Sequence, residues 1–190
     1  MTVEEIFNQT VEHMLQGIMI HDELANYYDF LGLQGYKKCH EYHGMIETHS
    51  YRHIMHYYIS RYNKFLPEPK VNPAGIIPSS WNGYTRQEVD SKTKQSAVKA
   101  GLEKWMNWEK STKKFFEKMY KELMNIDEVA AAFEFQKLIC DVDCELKKVE
   151  QYHLHKQAIG YDISSIVAEQ KKKHKRYKEK LKCFYGNMEE

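Results

Sequence analysis

All four prolines of this chain, Pro67, Pro69, Pro73 and Pro78, fall in one short stretch. Proline lacks a backbone donor and clashes with the preceding helical turn, so helix interiors exclude it. Its confinement leaves long uninterrupted stretches free to be helical on both sides. The proline-bearing segment 66–90, "LPEPKVNPAGIIPSSWNGYTRQEVD", also holds Gly75 and Gly83, and is a connection of about 25 residues.

Helical periodicity then places five helices. Residues 2–31 form the first, stopped by "GLQG" at 32–35, and residues 36–65 form the second. Residues 91–124 form the third, and a short turn at Asn125–Asp127 leads into the fourth, 128–158. Gly160 ends that helix, and 162–183 reads as a fifth. No segment alternates as a strand would, and no fixed repeat is present. Short turns make helices 1 and 2 antiparallel, and likewise helices 3 and 4. The long connection can cross the length of a bundle, which makes helices 2 and 3 parallel. The expectation is an all-α four-helix bundle over 1–158 with its crossover at 66–90. A C-terminal basic helix within 159–190 packs on it or extends from it.

The net charge of +1 supplies no global field that would select a nucleic acid or a membrane. The distribution is uneven. Residues 1–30 carry six acids and no Lys or Arg, whereas 170–182 carry eight Lys or Arg and one acid. Those basic residues run nearly all round their helix, which favours solvent, with only weak electrostatic binding of nucleic acid. No stretch approaches the ~20 apolar residues of a membrane span. The N-terminus lacks the basic and apolar blocks of a signal peptide. Cys39, Cys140, Cys144 and Cys183 include no C-x-x-C pair and read as reduced thiols of a cytoplasmic protein. There is no nucleophile triad order, P-loop or dinucleotide fingerprint.

The third helix holds the chemistry. Its apolar seam runs Val98, Leu102, Trp105, Glu109, Thr112, Phe116, Met119 and Leu123, with a carboxylate at its centre. An ionised carboxylate in an apolar interior is costly unless something neutralises it. The fourth helix repeats the pattern with Ala131, Phe135, Leu138, Val142, Glu145, Val149 and Tyr152. Glu109 lies 18 residues before Asp127 and Glu145 lies 18 after it, so the hairpin sets two buried glutamates face to face. Two such groups need a cation or a shared proton. On the first helix the seam Phe7, Val11, Met14, Ile18, His21, Ala25 and Tyr28 is interrupted by His21. The second helix opposes it with His43, Glu47, Ser50, Ile54 and Tyr57. Each helix thus offers one metal-capable side chain near mid-length: His21, Glu47, Glu109 and Glu145. His43 and Asp141 stand one turn from Glu47 and Glu145.

With these features the chain resembles the ferritin-like superfamily over residues 1–158. The resemblance lies in helix order, crossover and mid-helix carboxylates. The stretch "WEKSTKKFFEKMYKEL" looks like the third helix of ferritins, where a Glu-Lys pair carries a metal-ligating glutamate. The family pattern is a Glu from each of two helices and Glu-x-x-His from each of the other two. Here Ser50 stands three residues after Glu47, and Lys148 three after Glu145. Glu12 lies 35 residues before Glu47, a ferritin-like separation, and is an alternative to His21, as is Glu23. Glu23, Glu103, Glu150 and His153 form a displaced alternative set. The resemblance implies a centre of one or two iron or manganese ions held by Glu109, Glu145, Glu47, His21, His43 and Asp141. It extends to an oxidase or redox role and is compatible with a homo-oligomer. The alternative is a non-catalytic helical interaction protein that keeps the bundle without metal chemistry.

Other polar residues read as structural. His49, His53 and His56 form an exposed helical face rather than a zinc or nickel site. Cys140 and Cys144 read as buried small hydrophobes. Tyrosines of "NYYDF" (26–30) and "HYY" (56–58) read as interhelical packing rather than an electron relay. Trp105 is expected to wall off Glu109 from water, and Trp81 to pin the crossover to the bundle.

Overall fold

A computed structural model describes residues 1–72, 75, 85 and 88–185, with side chains described through residue 182. The described residues contain five helices and no strand: α1 (Val3–Phe30), α2 (Gln34–Tyr62), α3 (Ser91–Asn125), α4 (Val129–Ala158) and α5 (Ile163–Tyr185). Local chemistry fixes the ends. At the start of α1 the Thr2 hydroxyl accepts from the Glu5 amide, and the Glu5 carboxylate accepts from the Thr2 amide. The Asp90 carboxylate accepts from the Thr93 amide and starts α3 where the proline segment has ended. Asp127 turns the chain between α3 and α4 in the left-handed region, at φ 59°. Short aspartate side chains tolerate that conformation.

Side-chain pairs give the helix directions. Tyr27 donates to the Ala97 carbonyl, His13 meets Thr112, and the Met1 amino group faces Glu122. Residue numbers thus fall along α3 as they rise along α1, and the two helices are antiparallel. The pairs His43–Glu145, His53–Glu134 and Arg61–Glu128 show the same for α2 and α4. Since α3 also runs against α4, α2 and α3 are parallel, as the crossover requires. Trp81 lies outside the described residues.

Two apolar clusters fill the bundle. One gathers Phe7, Ile54, Phe116, Phe135 and Leu123 at the end where α3 turns into α4. The other gathers Tyr28, Leu31, Tyr36, Leu102 and Trp105 at the opposite end. Each fully buried aliphatic or aromatic side chain contributes about 1.5–3 kcal/mol, so these clusters drive the assembly. The carboxylate layer falls between them.

The fifth helix packs along α2 and also touches α3. It buries Ile166 and Leu181. Solvent therefore does not surround this helix, contrary to the reading of its lysines as going all round: Lys173 faces inward. The close approach depends on Gly35, where an added Cβ would overlap the Gln170 carbonyl of α5. Beside it, the ammonium of fully buried Lys156 donates to Glu169 of α5, which also accepts from the Tyr152 hydroxyl. No described helix is long and apolar enough to cross a membrane.

Candidate metal centre

Every member of the α3 seam is buried, Glu109 included at 3 % exposure. Its carboxylate is held by the Trp105 indole N–H, which donates to Oε1 over 2.8 Å. Trp105 lies one turn before Glu109 on the same helix, so the bond follows from their four-residue spacing. The tryptophan does more than exclude water, since it orients the glutamate. The His21 Nε2 atom stands 4.0 Å from the same Oε1. The His43 ring lies 5.6 Å from that of His21, and its Nδ1 stands 3.7 Å from Glu145 Oε2.

A single cavity of about 280 Å³ is lined by His21 of α1, His43 and Glu47 of α2, Glu109 of α3, and Asp141 and Glu145 of α4. All four helices therefore contribute polar groups to one space. Met14, Phe116, Leu138 and Val142 close its apolar wall. The space lies toward α2 and α4, which approach each other less closely than the partners within each hairpin. Gly17 of α1 makes room for it: a Cβ there would sit 3.4 Å from Glu47 Cδ and 3.2 Å from Trp108 Cζ2.

Burial sets the protonation states. Glu109 is pushed up to about 8 by burial, then by the Glu47 charge, with the Trp105 bond working the other way. Glu47 is pushed up to about 7 by burial and then by Glu145. The imidazoles move oppositely. Burial, then the Lys173 charge, holds His43 down at about 3, and burial holds His21 well below its ordinary range. Both histidines are neutral at physiological pH, the form in which imidazole is a ligand.

The other groups are less central than the sequence suggested. Glu145 is half-buried rather than enclosed, and its Oε1 accepts from Lys148 over 2.7 Å. Its Oε2 is buried with no hydrogen-bond partner. Asp141 is exposed and contributes only to the rim. Glu12 is turned away, accepting from the Lys70 amide of the crossover and from Asn8. Glu23 does not line the cavity. The displaced set is not assembled: Glu103 faces Lys99, Glu150 faces Lys110, and His153 bonds Tyr161.

Among the described residues, no three His, Cys, Asp or Glu side chains are drawn tightly enough together to hold an ion. The two pairs, His21–Glu109 and His43–Glu145, line the same cavity with Glu47. Two carboxylates that carry raised pKa values, a carboxylate oxygen without a donor and two neutral imidazoles make a nitrogen and oxygen donor set. That chemistry fits iron or manganese.

Sequence reasoning missed His40. This fully buried residue places its Nδ1 3.0 Å from His21 Nδ1 and stacks between Tyr28 and the wall formed by Trp105. It was legible in principle, since His40, His43 and Glu47 follow at helical spacing. It missed His13 too, whose ring lies between Trp108 and Phe115. Burial lowers His13 to about 4. Cys140 and Cys144 are corrected: both are exposed, and Cys144, unlike Cys140, lines the cavity. His49, His53 and His56 are exposed as expected, but His53 has an acid partner, Glu134, at 3.0 Å. Tyr27, Tyr28 and Tyr58 are buried and meet Ala97, Tyr36 and Phe7 of neighbouring helices.

No protein-family model and no curated protein matches the chain. Among solved structures, it is similar to a humanized archaeal ferritin. The TM-score is 0.72 over 90% of this chain and 94% of that one, at 14% sequence identity. The fold is a ferritin-like helical bundle with a fifth helix.

Proposed function

We propose that this ferritin-like bundle binds one or two transition-metal ions, iron or manganese, in the cavity between its helices. One observation carries the reading: His21, His43, Glu47, Glu109, Asp141 and Glu145, drawn from four helices, line one space. Glu109 and Glu47 supply carboxylates whose protons a cation would displace. His21 and His43 supply neutral imidazoles. Glu145 would turn from Lys148 toward the ion through its unpartnered oxygen. Iron or manganese bound there would supply redox chemistry toward oxygen. The chain's own residues would hold the ion and keep apolar walls around it, with Glu47 and Glu109 releasing their protons as it enters. The reading includes a cytoplasmic setting and a homo-oligomer.

A second reading rests on the same hydrogen bonds. Trp105 on Glu109, Lys148 on Glu145 and raised carboxyl pKa values also describe a protonated polar layer that needs no cation. The protein would then be a non-catalytic helical interaction module. Metal content per chain after purification without added metal separates the two, together with the melting temperature with and without chelator. A metal-free chain that ignores chelator leaves the second reading standing.

A further inference from the structure

A second cavity, of about 440 Å³, lies between α5 and the bundle. It meets the central cavity at a common wall of His43, Glu145 and Lys148. Its volume is in the range of small-molecule pockets, about 300–1,000 Å³. Five cations line it: Lys148, Lys172, Lys173, Arg176 and Lys180. Only two acids do, Glu145 and Glu169, and both are engaged, Glu145 by Lys148 and Glu169 by Lys156.

The four α5 cations have no carboxylate partner among the described residues. Long basic side chains ordinarily extend their charged heads into water. Three of these are instead held over aromatic rings, Arg176 among them with its guanidinium carbon 5.6 Å from the centre of the Tyr177 ring. The Lys173 ammonium sits 3.7 Å from the centre of the Tyr152 ring and 4.8 Å from that of Tyr36. Lys180 sits 4.6 Å from the centre of the Tyr42 ring. Cation–π contact fixes such heads but does not neutralise them. Burial holds Lys173 below the usual lysine range, against a smaller upward pull from Cys39. A solvated basic face would leave its lysines mobile and its aromatics elsewhere.

We infer that this cleft is a binding site for a small polyanion, a compound carrying two or more phosphate or carboxylate groups. Its charges would meet Lys172, Lys173, Arg176 and Lys180, and its seat would abut His43 and Glu145 at the edge of the central cavity. The inference does not depend on metal binding.

The test uses the full chain, stripped with chelator, in low-salt buffer. Pyrophosphate and tricarballylate are titrated separately by calorimetry, one arm for phosphate and one for carboxylate. Saturable binding of one polyanion per chain is expected in at least one arm, together with a higher melting temperature. Lys173→Met should weaken it about tenfold, the loss of one charge-assisted hydrogen bond. Lys175→Met, on the same helix but outside the cleft, should change it no more than about twofold. If Lys173→Met does not fold, Lys180→Met is read in its place. Absence of saturable binding in both arms would overturn the inference. So would equal weakening by Lys175→Met, which would mean diffuse attraction to a basic helix rather than a site.

Discussion

His21 and His40 face each other through their Nδ1 atoms, 3.0 Å apart, with both rings fully buried. One ring must donate and the other accept. If His21 donates, its Nε2 carries a free lone pair on the side of Glu109. His40 would then orient the ligand and select its tautomer, the usual role of a partner behind a metal-bound histidine. His40→Phe should keep the bundle and weaken metal binding about 10–100-fold. Titration with cobalt(II), followed by its absorption bands, measures this. Unchanged affinity would make His40 a packing residue only.

Glu109 gives opposite signs in the two readings. If a cation occupies the cavity, Glu109→Gln loses it and lowers the melting temperature of the loaded protein. If the layer is merely protonated, the same change removes a buried ionisable group and is neutral or stabilising. Metal content and melting curves, with and without chelator, decide the matter.

The pH dependence follows from the raised carboxyls. Glu109 at about 8 and Glu47 at about 7 bind protons in the folded state that the unfolded chain, near 4.5, has already released. A group with a raised folded pKa stabilises the fold below its unfolded value and loses that contribution as pH rises through the folded one. The metal-free protein should therefore lose stability between pH 4.5 and 8, and Glu109→Gln should flatten the slope. Metal affinity should rise across the same window, with proton release visible as a buffer-dependent binding heat.

Lys156 and Glu169 tie the end of α4 to α5, with Lys156 fully buried. Glu169→Gln leaves that ammonium without its counter-charge and should cost roughly 3–5 kcal/mol. Replacing both, Lys156→Met with Glu169→Leu, should recover most of the loss. Urea unfolding of the single and double variants gives the comparison. Additive losses would show that the pair is not coupled.

Gly35→Ala tests the seating of α5. The new Cβ would meet the Gln170 carbonyl, a backbone atom that cannot rotate away. The variant should lift α5, expose it to proteolysis, and leave α1 to α4 folded. Limited proteolysis with mass analysis reads this directly; a protected fifth helix would show that the contact relaxes without cost.

The sequence by itself determined the helices and their order. Proline could occupy only the crossover, and the period of the apolar residues marked the buried face of each helix. Glu109 was legible as a core residue because a helix has a rigid phase: what lies between Trp105 and Thr112 on the seam must also point inward. The same phase contradicts the buried reading of Cys140 and Cys144. They lie off the seam of Leu138, Val142 and Val149, where Cys140 is exposed and Cys144 lines the cavity while remaining exposed, and cysteine's general preference for burial does not outweigh that position. What only the tertiary structure decided is how neighbouring helices meet. Periodicity gives each helix a face but not the partner facing it. The His21–His40 contact, the half-open position of Glu145 and the pairing of His53 with Glu134 depend on interhelical distance and rotation. The inward turn of Lys173 depends on α5 lying against α2, which the close approach at Gly35 allows.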